Sequence, residues 1–282
     1  MPISTLFNRE QRSVDNLAII QARMGSSRLP GKVLKDIAGK PMLAHVLERV
    51  SRASSLDKIM VAATSDSFDD PIAQFCLDGG YQCYRGSQFD VLDRFYQAAL
   101  QEQAKTVVRI TADCPLIDPN LIDQLMVEFE KSMVDFAANR LPPPFKRTFP
   151  IGLDIEICSF TALERSWKEA DEPHQREHVM PYLYEDVLLE KMDSTHSLGT
   201  GPRGFKVLLF DHVPDLGDLR WTVDTPQDLD FVREVFSRFP GRNDFSWLDV
   251  LDQVQTDPQL SSINEGVHHK SLLDLDDRIK KN

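Results

Sequence analysis

Short apolar runs alternate with longer amphipathic segments over the first 140 residues of the chain. The runs at residues 17–20, 58–63 and 106–110 predict buried β-strands, because short continuous apolar stretches are typical of strands covered on both faces. The intervening segments, among them residues 41–50 and 90–103, carry apolar side chains at helical spacing. Alternating strands and helices are the pattern of βαβ units, so the sequence predicts an α/β fold with a parallel sheet.

The pattern changes beyond residue 140. Four prolines between residues 141 and 150 predict a loop. Further strands are predicted at residues 152–159 and 219–224, because both stretches are rich in apolar residues. The sequence also predicts a helix over residues 174–186 and a turn or hairpin tip over residues 196–204, where glycine and proline are concentrated.

The expected organisation is one domain over residues 17–260, with a smaller subregion at residues 141–215. Polar extensions are expected on either side of this domain, at residues 1–16 and 261–282.

Composition narrows the possible functions. Lysine plus arginine is 32 and aspartate plus glutamate is 44, a net charge of −12, whereas proteins that bind nucleic acids or anionic membranes are usually basic. No apolar run approaches the roughly 20 residues that a membrane-spanning helix needs. Charged residues near the start, including Arg9 and Arg12, argue against a signal peptide. Four cysteines without a CxxC pair indicate reduced thiols, so we expect a cytoplasmic protein.

A basic loop follows the first predicted strand. Between Gln21 and Lys40 there are five positive charges against the single acidic residue Asp36. Glycines and serines in this stretch let the backbone approach a ligand closely and present N–H groups to it. The loop therefore predicts a polyphosphate cradle, although neither a Walker A nor a GxGxxG pattern is present. Charge alone leaves a solvated basic loop as the alternative. The positive residues are Arg23, Arg28, Lys32, Lys35 and Lys40.

The stretch IIQARMGSSRLPGKVL, followed by GKPML, resembles the opening of the cytidylyltransferases that activate sugar acids. The synthetases of CMP-Kdo and CMP-neuraminic acid belong to this family, and the resemblance is closest to the branch named for spore-coat polysaccharide biosynthesis protein F. It implies a mixed, mainly parallel sheet flanked by helices, as in the nucleotide-diphospho-sugar transferase fold. It also implies transfer of CMP from CTP to a sugar acid, with release of pyrophosphate, for surface polysaccharide biosynthesis.

The resemblance assigns roles within the loop. Arg23, Arg28 and Lys32 match phosphate-binding positions of the family, and Ser26 and Ser27 match its small hydroxyl positions. The nucleotide-binding residues that the resemblance implies are Ala22, Arg23, Gly25, Ser26, Ser27, Arg28, Lys32, Thr64, Asp93, Arg94 and Thr111.

Two aspartates lie where predicted strands end. Asp113 follows the strand at residues 106–110 and Asp224 closes the stretch at residues 219–224, so the carboxyl edge of a sheet would bring them together. An ordinary capping role is equally open for either residue. RITADCPLIDP and WTVDTPQDL resemble the metal-binding segments of the family, which implies that both aspartates hold Mg²⁺, a cation that prefers one or two carboxylates plus phosphate oxygens.

A further expectation concerns the stability of this pair of aspartates. Without a cation the carboxylates should repel each other, so that Asp→Asn replacement at either position stabilises the protein.

The family often has glycine and glutamine where this chain has Ala112 and Thr111, which leaves the choice between CTP and UTP open. The catalytic residues that the resemblance implies are Arg23, Arg28, Lys32, Asp113 and Asp224.

The distal half of the chain supplies candidates for acceptor recognition. Asp154 and Glu156 share one face of the predicted strand, where they could bind sugar hydroxyls, bind a second metal or face solvent. A GLDIE-like strand followed by an REHV-like helix lies in the acceptor half of the resembling branch, which adds Arg176, Glu177 and His178 as candidates.

Relatives in this family are dimers, so we expect a homodimer in which the subregion 141–215 makes the contact. Core packing would use the same aromatic residues equally well. The candidate contact residues are Phe160, Trp167, Tyr182 and Tyr184.

Alternative functions come from other reaction classes. HQREH, at residues 174–178, fits the inverted zinc-peptidase signature HxxEH. A non-catalytic nucleotide-sugar-binding protein is a second alternative, and a glycosyltransferase on a similar sheet is a third, although ADCP lacks the second aspartate of a DxD motif. The peptidase interpretation leaves the basic loop and the two strand-end aspartates unexplained, whereas the transferase interpretation explains both.

Overall fold

The computed structural model describes residues 14–267, and the rest of the two predicted extensions lies outside these residues. The strands are β1 (Asn16–Gln21), β2 (Asp36–Ile37), β3 (Lys40–Pro41), β4 (Lys58–Thr64), β5 (Gln82–Gly86), β6 (Thr106–Thr111), β7 (Phe136–Ala138), β8 (Glu156–Ser159), β9 (Glu190–Lys191), β10 (His196–Thr200) and β11 (Lys206–Phe210). The α-helices are α1 (Met42–Val50), α2 (Asp70–Gly79), α3 (Val91–Glu102), α4 (Pro119–Ser132), α5 (Phe160–Glu169), α6 (Pro173–His178), α7 (Pro181–Tyr184), α8 (Pro226–Ser237), α9 (Trp247–Thr256) and α10 (Pro258–Ser262).

A nine-stranded mixed sheet forms the centre of the fold, in the order β5-β4-β1-β6-β8-β7-β11-β10-β9. The strands β5, β4, β1 and β6 run parallel, and β8 reverses direction against both β6 and β7. Because β7 pairs parallel with β11 and β10 is antiparallel to both of its neighbours, seven of these nine strands share one direction. The predicted mixed, mainly parallel sheet is therefore confirmed.

Helices cover both faces of the sheet. Along β1, Ala18 and Ile20 pack into one hydrophobic cluster, which contains residues of α1, α4, α8 and α9. Leu17 and Ile19 point to the other face and pack with residues of α3 and α5. Successive side chains of a strand alternate between faces, so a short apolar run such as this one fills both cores. No helix within residues 14–267 is long and apolar enough to cross a membrane.

The prediction of a strand at residues 219–224 is wrong. This segment makes one isolated bridge between Arg220 and Ile151 and joins no ladder. Its backbone is instead fastened to loops: Trp221 N donates to Ile151 O at 2.7 Å, and Val223 N donates to Asp113 O at 2.9 Å. Gly152 makes this approach possible, since it has a φ of +109° and a Cβ atom there would lie 2.6 Å from Thr222 N.

Three other predictions of local structure need correction. Residues 196–200 form β10 instead of a turn, because they pair with β11 and β9. The predicted helix over residues 174–186 breaks at Val179, which has a φ of +73°, just before Pro181 begins α7. Proline cannot continue a preceding helix, which explains the break. The strand predicted from residue 152 begins only at Glu156, so Asp154 precedes it.

Candidate active site

A cleft opens at the carboxyl edge of the sheet, where β1 and β6 end side by side at Gln21 and Thr111. Ligands of open α/β sheets bind at this edge, because the loops that follow neighbouring strands converge there. Most of the residues that the sequence proposed for phosphates and metal contribute to its wall. The cleft is lined by Gln21, Arg23, Gly25, Ser26, Ser27, Arg28, Lys32, Val33, Thr111, Ala112, Asp113 and Asp224.

Gly31 closes the basic loop on itself. Its N–H donates to Met24 O at 2.9 Å, and its φ of +67° is a conformation that glycine adopts without the penalty paid by other residues. The loop is held at its other end by Asp69, whose carboxylate accepts from Met24 N at 2.7 Å. Lys32 follows Gly31 directly at the start of a short 3₁₀ turn, so the closed loop directs this side chain into the cleft.

The ammonium group of Lys32 lies between the two aspartates. Its Nζ is 2.6 Å from Asp113 Oδ2, 2.8 Å from Asp224 Oδ1 and 2.9 Å from the carbonyl oxygen of Val223. Lys32 is only 9% exposed. Burial alone would lower the pKa of Lys32, but the two carboxylates outweigh burial and raise it above its usual value. Lys32 is therefore a charged side chain that neutralises both aspartates.

Asp224 contacts two more cations. Its Oδ2 lies 3.0 Å from Arg28 Nη2 and 2.8 Å from Arg220 Nη2, while its Oδ1 contacts Lys32. Burial would favour the neutral carboxyl, but the three positive side chains hold the pKa of Asp224 well below its ordinary value. The group is consequently ionised at neutral pH.

A fully buried carboxylate, Asp228, supports this arrangement from α8. It accepts from Arg220 Nε at 2.8 Å, from Asp224 N at 3.0 Å and from Thr225 N at 2.9 Å. Asn264 donates both to Asp228 Oδ1, at 3.1 Å, and to the carbonyl of Arg220, at 2.9 Å. Asn264 comes from the predicted polar extension, yet it is buried, so residues up to 264 pack against the domain.

The two aspartates fit a divalent cation by their chemistry. Asp113 Oδ2 and Asp224 Oδ1 converge on one point, which the Lys32 ammonium already marks as a position for positive charge. Two carboxylates are the protein contribution that Mg²⁺ typically accepts, with phosphate and water supplying its other oxygens. The expected repulsion assumed two bare carboxylates, whereas in the structure Lys32 compensates both of them.

Four of the proposed nucleotide-binding residues lie behind the cleft and not in its wall. Thr64 is buried and donates through Oγ1 to Asp69 Oδ2 at 2.5 Å. Arg94 is 2% exposed, and burial lowers its pKa to about 10. Asp93 accepts from Trp167 Nε1 at 2.8 Å. Ala22 is buried beside β4.

The proposed acceptor residues fall into two groups. Glu156 pairs with Arg109, which donates to the cleft residue Gln21 at 2.9 Å, so Glu156 is joined to the cleft through one side chain. Asp154 pairs with Arg147, whose Nη2 lies at 2.9 Å.

The second group lies on α6 and does not line the cleft. Arg176 fastens this helix to the start of α3, since its Nε donates to Asp90 at 3.0 Å and its Nη1 donates to Trp167 O at 2.8 Å. Glu177 is buried and His178 is partly buried.

Sequence reasoning missed the residues that hold Asp224 in place. Arg220 gave no signal, because a buried arginine cannot be told from a surface one without the fold. Asp228 could have been found, since Thr225 and Asp228 occupy the N-cap and N3 positions of a capping box. Arg109 and Gln21 also went unnoticed.

The zinc-peptidase alternative gains no support. His174 Nε2 is 2.5 Å from Glu185 Oε1, so the first histidine of HQREH is engaged by a carboxylate of its own chain. Across residues 14–267, no group of three or more histidine, cysteine, aspartate and glutamate side chains is arranged to hold a metal ion.

The aromatic residues proposed for a dimer contact pack within this chain. Tyr182 and Tyr184 are buried. Trp167 stacks on Tyr96 with ring centroids 4.1 Å apart, and Phe160 stacks on the same ring at 5.8 Å. Packing within one chain is compatible with either role for Phe160 and Trp167, which are only partly buried, so the homodimer and its contact residues stay predictions.

Comparisons with known proteins agree with this geometry. The model of a family described as cytidylyltransferase matches residues 17–209. The chain is 34% identical over 263 residues to an uncharacterized protein of Methanocaldococcus jannaschii, covering 93% of this chain and 99% of that protein. It is 26% identical to the spore coat polysaccharide biosynthesis protein SpsF of Bacillus subtilis, covering 89% and 98%. It is 30% identical to a 3-deoxy-manno-octulosonate cytidylyltransferase of Anaeromyxobacter dehalogenans, covering 78% and 96%.

A solved structure is similar over nearly the whole chain. This solved structure is that of a cytidylyltransferase from Leptospira borgpetersenii, and it superposes on the present chain with a TM-score of 0.78 at 29% identity. The match covers 91% of this chain and 100% of the other.

Proposed function

Because this chain belongs to the cytidylyltransferase family, we propose that it transfers CMP from CTP to a sugar acid and releases pyrophosphate. One observation carries the proposal: the basic loop, Asp113 and Asp224 line a single cleft. The curated relatives whose names specify a sugar acid or polysaccharide biosynthesis support the acceptor class and the biosynthetic role. We place the reaction in the cytoplasm, where the four free cysteines would stay reduced.

In the proposed reaction a hydroxyl oxygen of the sugar acid attacks the α-phosphorus of CTP, and the hydroxyl proton passes to solvent. The bond from that phosphorus to the oxygen bridging to the β-phosphate breaks, and pyrophosphate leaves with the bonding pair. Arg23 and Arg28 would neutralise the phosphates, and backbone N–H groups of residues 25–27 would bind their oxygens. Mg²⁺ held by Asp113 and Asp224 would supply charge stabilisation to the phosphoryl group being transferred.

We assign Thr64 and Arg94 to positioning the loop. Thr64 donates to Asp69, and Asp69 holds the loop through Met24 N. The charge of Arg94 interacts with both Asp69 and Arg23. Direct contact with the nucleotide would require Arg94 to leave its buried position, so support through Asp69 is the simpler role.

The acceptor would bind next to Gln21, beside the paired charges of Arg109 and Glu156. A sugar acid offers one carboxylate and several hydroxyls. Arg109 offers a guanidinium that contacts both the amide of Gln21 and the carboxylate of Glu156. Asp154 and Arg147 form a second such pair. In this arrangement the residues of α6 would not contact the acceptor and would affect its binding only through the packing of the helix. These residues are Arg176, Glu177 and His178.

Nucleotide binding tests the proposed function directly. Calorimetric titration with CTP, UTP, ATP and GTP in Mg²⁺ should show tightest binding for CTP. Equal binding of all four, or preference for a purine nucleotide, would contradict a cytidylyltransferase cleft.

Arg28→Ala should weaken CTP binding and lower kcat/KM by roughly 10–100-fold, the effect of one charge-assisted contact. Lys40→Ala is the matched control, because Lys40 belongs to the same basic stretch but pairs with Glu48 on the surface. Wild-type kinetics in Arg28→Ala would remove this residue from the phosphate site.

A further inference from the structure

We propose that Lys32 and the divalent cation occupy the same position between Asp113 and Asp224, so the metal binds only after Lys32 has moved away. The inference rests on the proposed function for the identity of the metal site. It makes Lys32 a placeholder that keeps the aspartates neutralised until a triphosphate arrives.

The hydrogen bonds of Lys32 are complete where it lies. An ammonium group has three N–H donors, and Lys32 Nζ has three acceptors, on Asp113, Asp224 and the Val223 carbonyl. No donor is left over for a phosphate oxygen. The role that the sequence gave Lys32, neutralising the triphosphate, therefore requires a different position of the same side chain.

A magnesium ion and this ammonium would compete for the same two oxygens. Mg²⁺ needs its oxygen ligands at about 2.0–2.1 Å. Lys32 Nζ already lies 2.6 Å from Asp113 Oδ2 and 2.8 Å from Asp224 Oδ1. Two cations on one pair of oxygens would lie close together and repel each other, with little water between them to screen the charge, so binding of one disfavours binding of the other.

A triphosphate can draw Lys32 out of this position. Lys32 follows Gly31 directly in the basic loop, and Arg23 and Arg28 line the same cleft as Lys32. The flexible stem of Lys32 can therefore carry its ammonium group to a triphosphate bound there. The triphosphate brings negative charge for Lys32 and oxygens for the metal at the same moment. Exchange of Lys32 for the metal then leaves both aspartates and the triphosphate neutralised, which couples metal binding to nucleotide binding.

Binding of Mn²⁺ alone, followed by electron paramagnetic resonance without nucleotide or sugar, tests the exchange. Wild-type protein should bind Mn²⁺ weakly, while Lys32→Met should bind it at least about tenfold more tightly, because one charged competitor has been removed. Lys32→Gln, which retains hydrogen-bond donors for the aspartates, should show the same direction if Lys32→Met folds poorly. Lys40→Met should bind like wild type.

The double variant Lys32→Met/Asp113→Asn should lose the gain, which would locate the bound Mn²⁺ between the aspartates. Unchanged Mn²⁺ affinity in both folded Lys32 variants would overturn the exchange. The outcome is independent of the substrate: if CTP is not turned over but the Lys32 variants gain Mn²⁺, the proposed transfer fails and the exchange stands. If transfer occurs and Mn²⁺ affinity does not change, only the exchange fails.

Discussion

Asp113→Asn and Asp224→Asn should each lower kcat for CMP transfer by roughly a thousandfold, because several kcal/mol of metal-derived stabilisation of the transition state would be lost. Both oxygens that converge on the cation position belong to these residues. Asparagine keeps the shape of the side chain but removes the negative charge that a divalent cation requires. Steady-state pyrophosphate release measures the effect.

The same two variants should be less stable than wild type. Asparagine at position 224 leaves Lys32, Arg28 and Arg220 without their shared counter-charge, whereas asparagine at position 113 removes one of the two counter-charges of Lys32. We expect a loss of about 1–3 kcal/mol in the free energy of unfolding, larger for Asp224→Asn. Chemical denaturation measures it.

Asp230→Asn is the control, since Asp230 lies on the exposed face of α8 and should change neither property. Full activity in Asp224→Asn would place the second metal ligand elsewhere. Higher stability in either variant would show that the two carboxylates repel each other in spite of Lys32.

Asp228→Ala should cost about 3–5 kcal/mol of folding free energy, the effect of removing one partner from a buried ion pair. Arg220 would lose its fully buried counter-charge while still contacting Asp224, and the backbone N–H groups of Asp224 and Thr225 would lose their acceptor. For a chain of this size each kcal/mol corresponds to about 2–4 °C, so the melting temperature should fall by roughly 10 °C.

The matched control for Asp228→Ala is Asp230→Ala, because Asp230 is an exposed residue of the same helix that pairs with Arg233 at the surface. It should stay within about 0.5 kcal/mol of wild type. Asn264→Ala, which removes a neutral donor to Asp228, should fall between the two. A melting temperature for Asp228→Ala equal to that of Asp230→Ala would show that the buried network contributes nothing to stability.

The sequence predicted the central sheet well because its evidence is local. The apolar runs that became β1, β4 and β6 are continuous, and each is followed by an amphipathic helix. The segment carrying Asp224 reads as a strand by the same rule. It is instead an extended stretch held on loops, and only the close approach of Gly152 to Thr222 explains why.

Contacts between distant parts of the chain could not be predicted in this way. The resemblance placed Lys32, Asp113 and Asp224 in one site. It did not predict that the ammonium group lies between the two carboxylates, because that position depends on a contact between residues 191 apart in the sequence. Asn264 was assigned to a loose extension on composition, which carries no information on the Arg220 carbonyl that binds it. The interface assignment of the aromatic residues stays a prediction for the same reason, since core and contact surfaces use the same residue types.

One reaction tests the central claim most directly. The protein is incubated with Mg²⁺, CTP and, in separate reactions, 3-deoxy-manno-octulosonate and nonulosonic acids, and with UTP in parallel, while pyrophosphate release and the nucleotide product are followed by mass spectrometry. With one of these acids, CTP should give equimolar pyrophosphate and a CMP-linked sugar, and Asp224→Asn should give neither. Absence of a CMP-linked product with every acid, together with turnover of a different nucleotide on a sugar phosphate, would contradict a sugar-acid cytidylyltransferase.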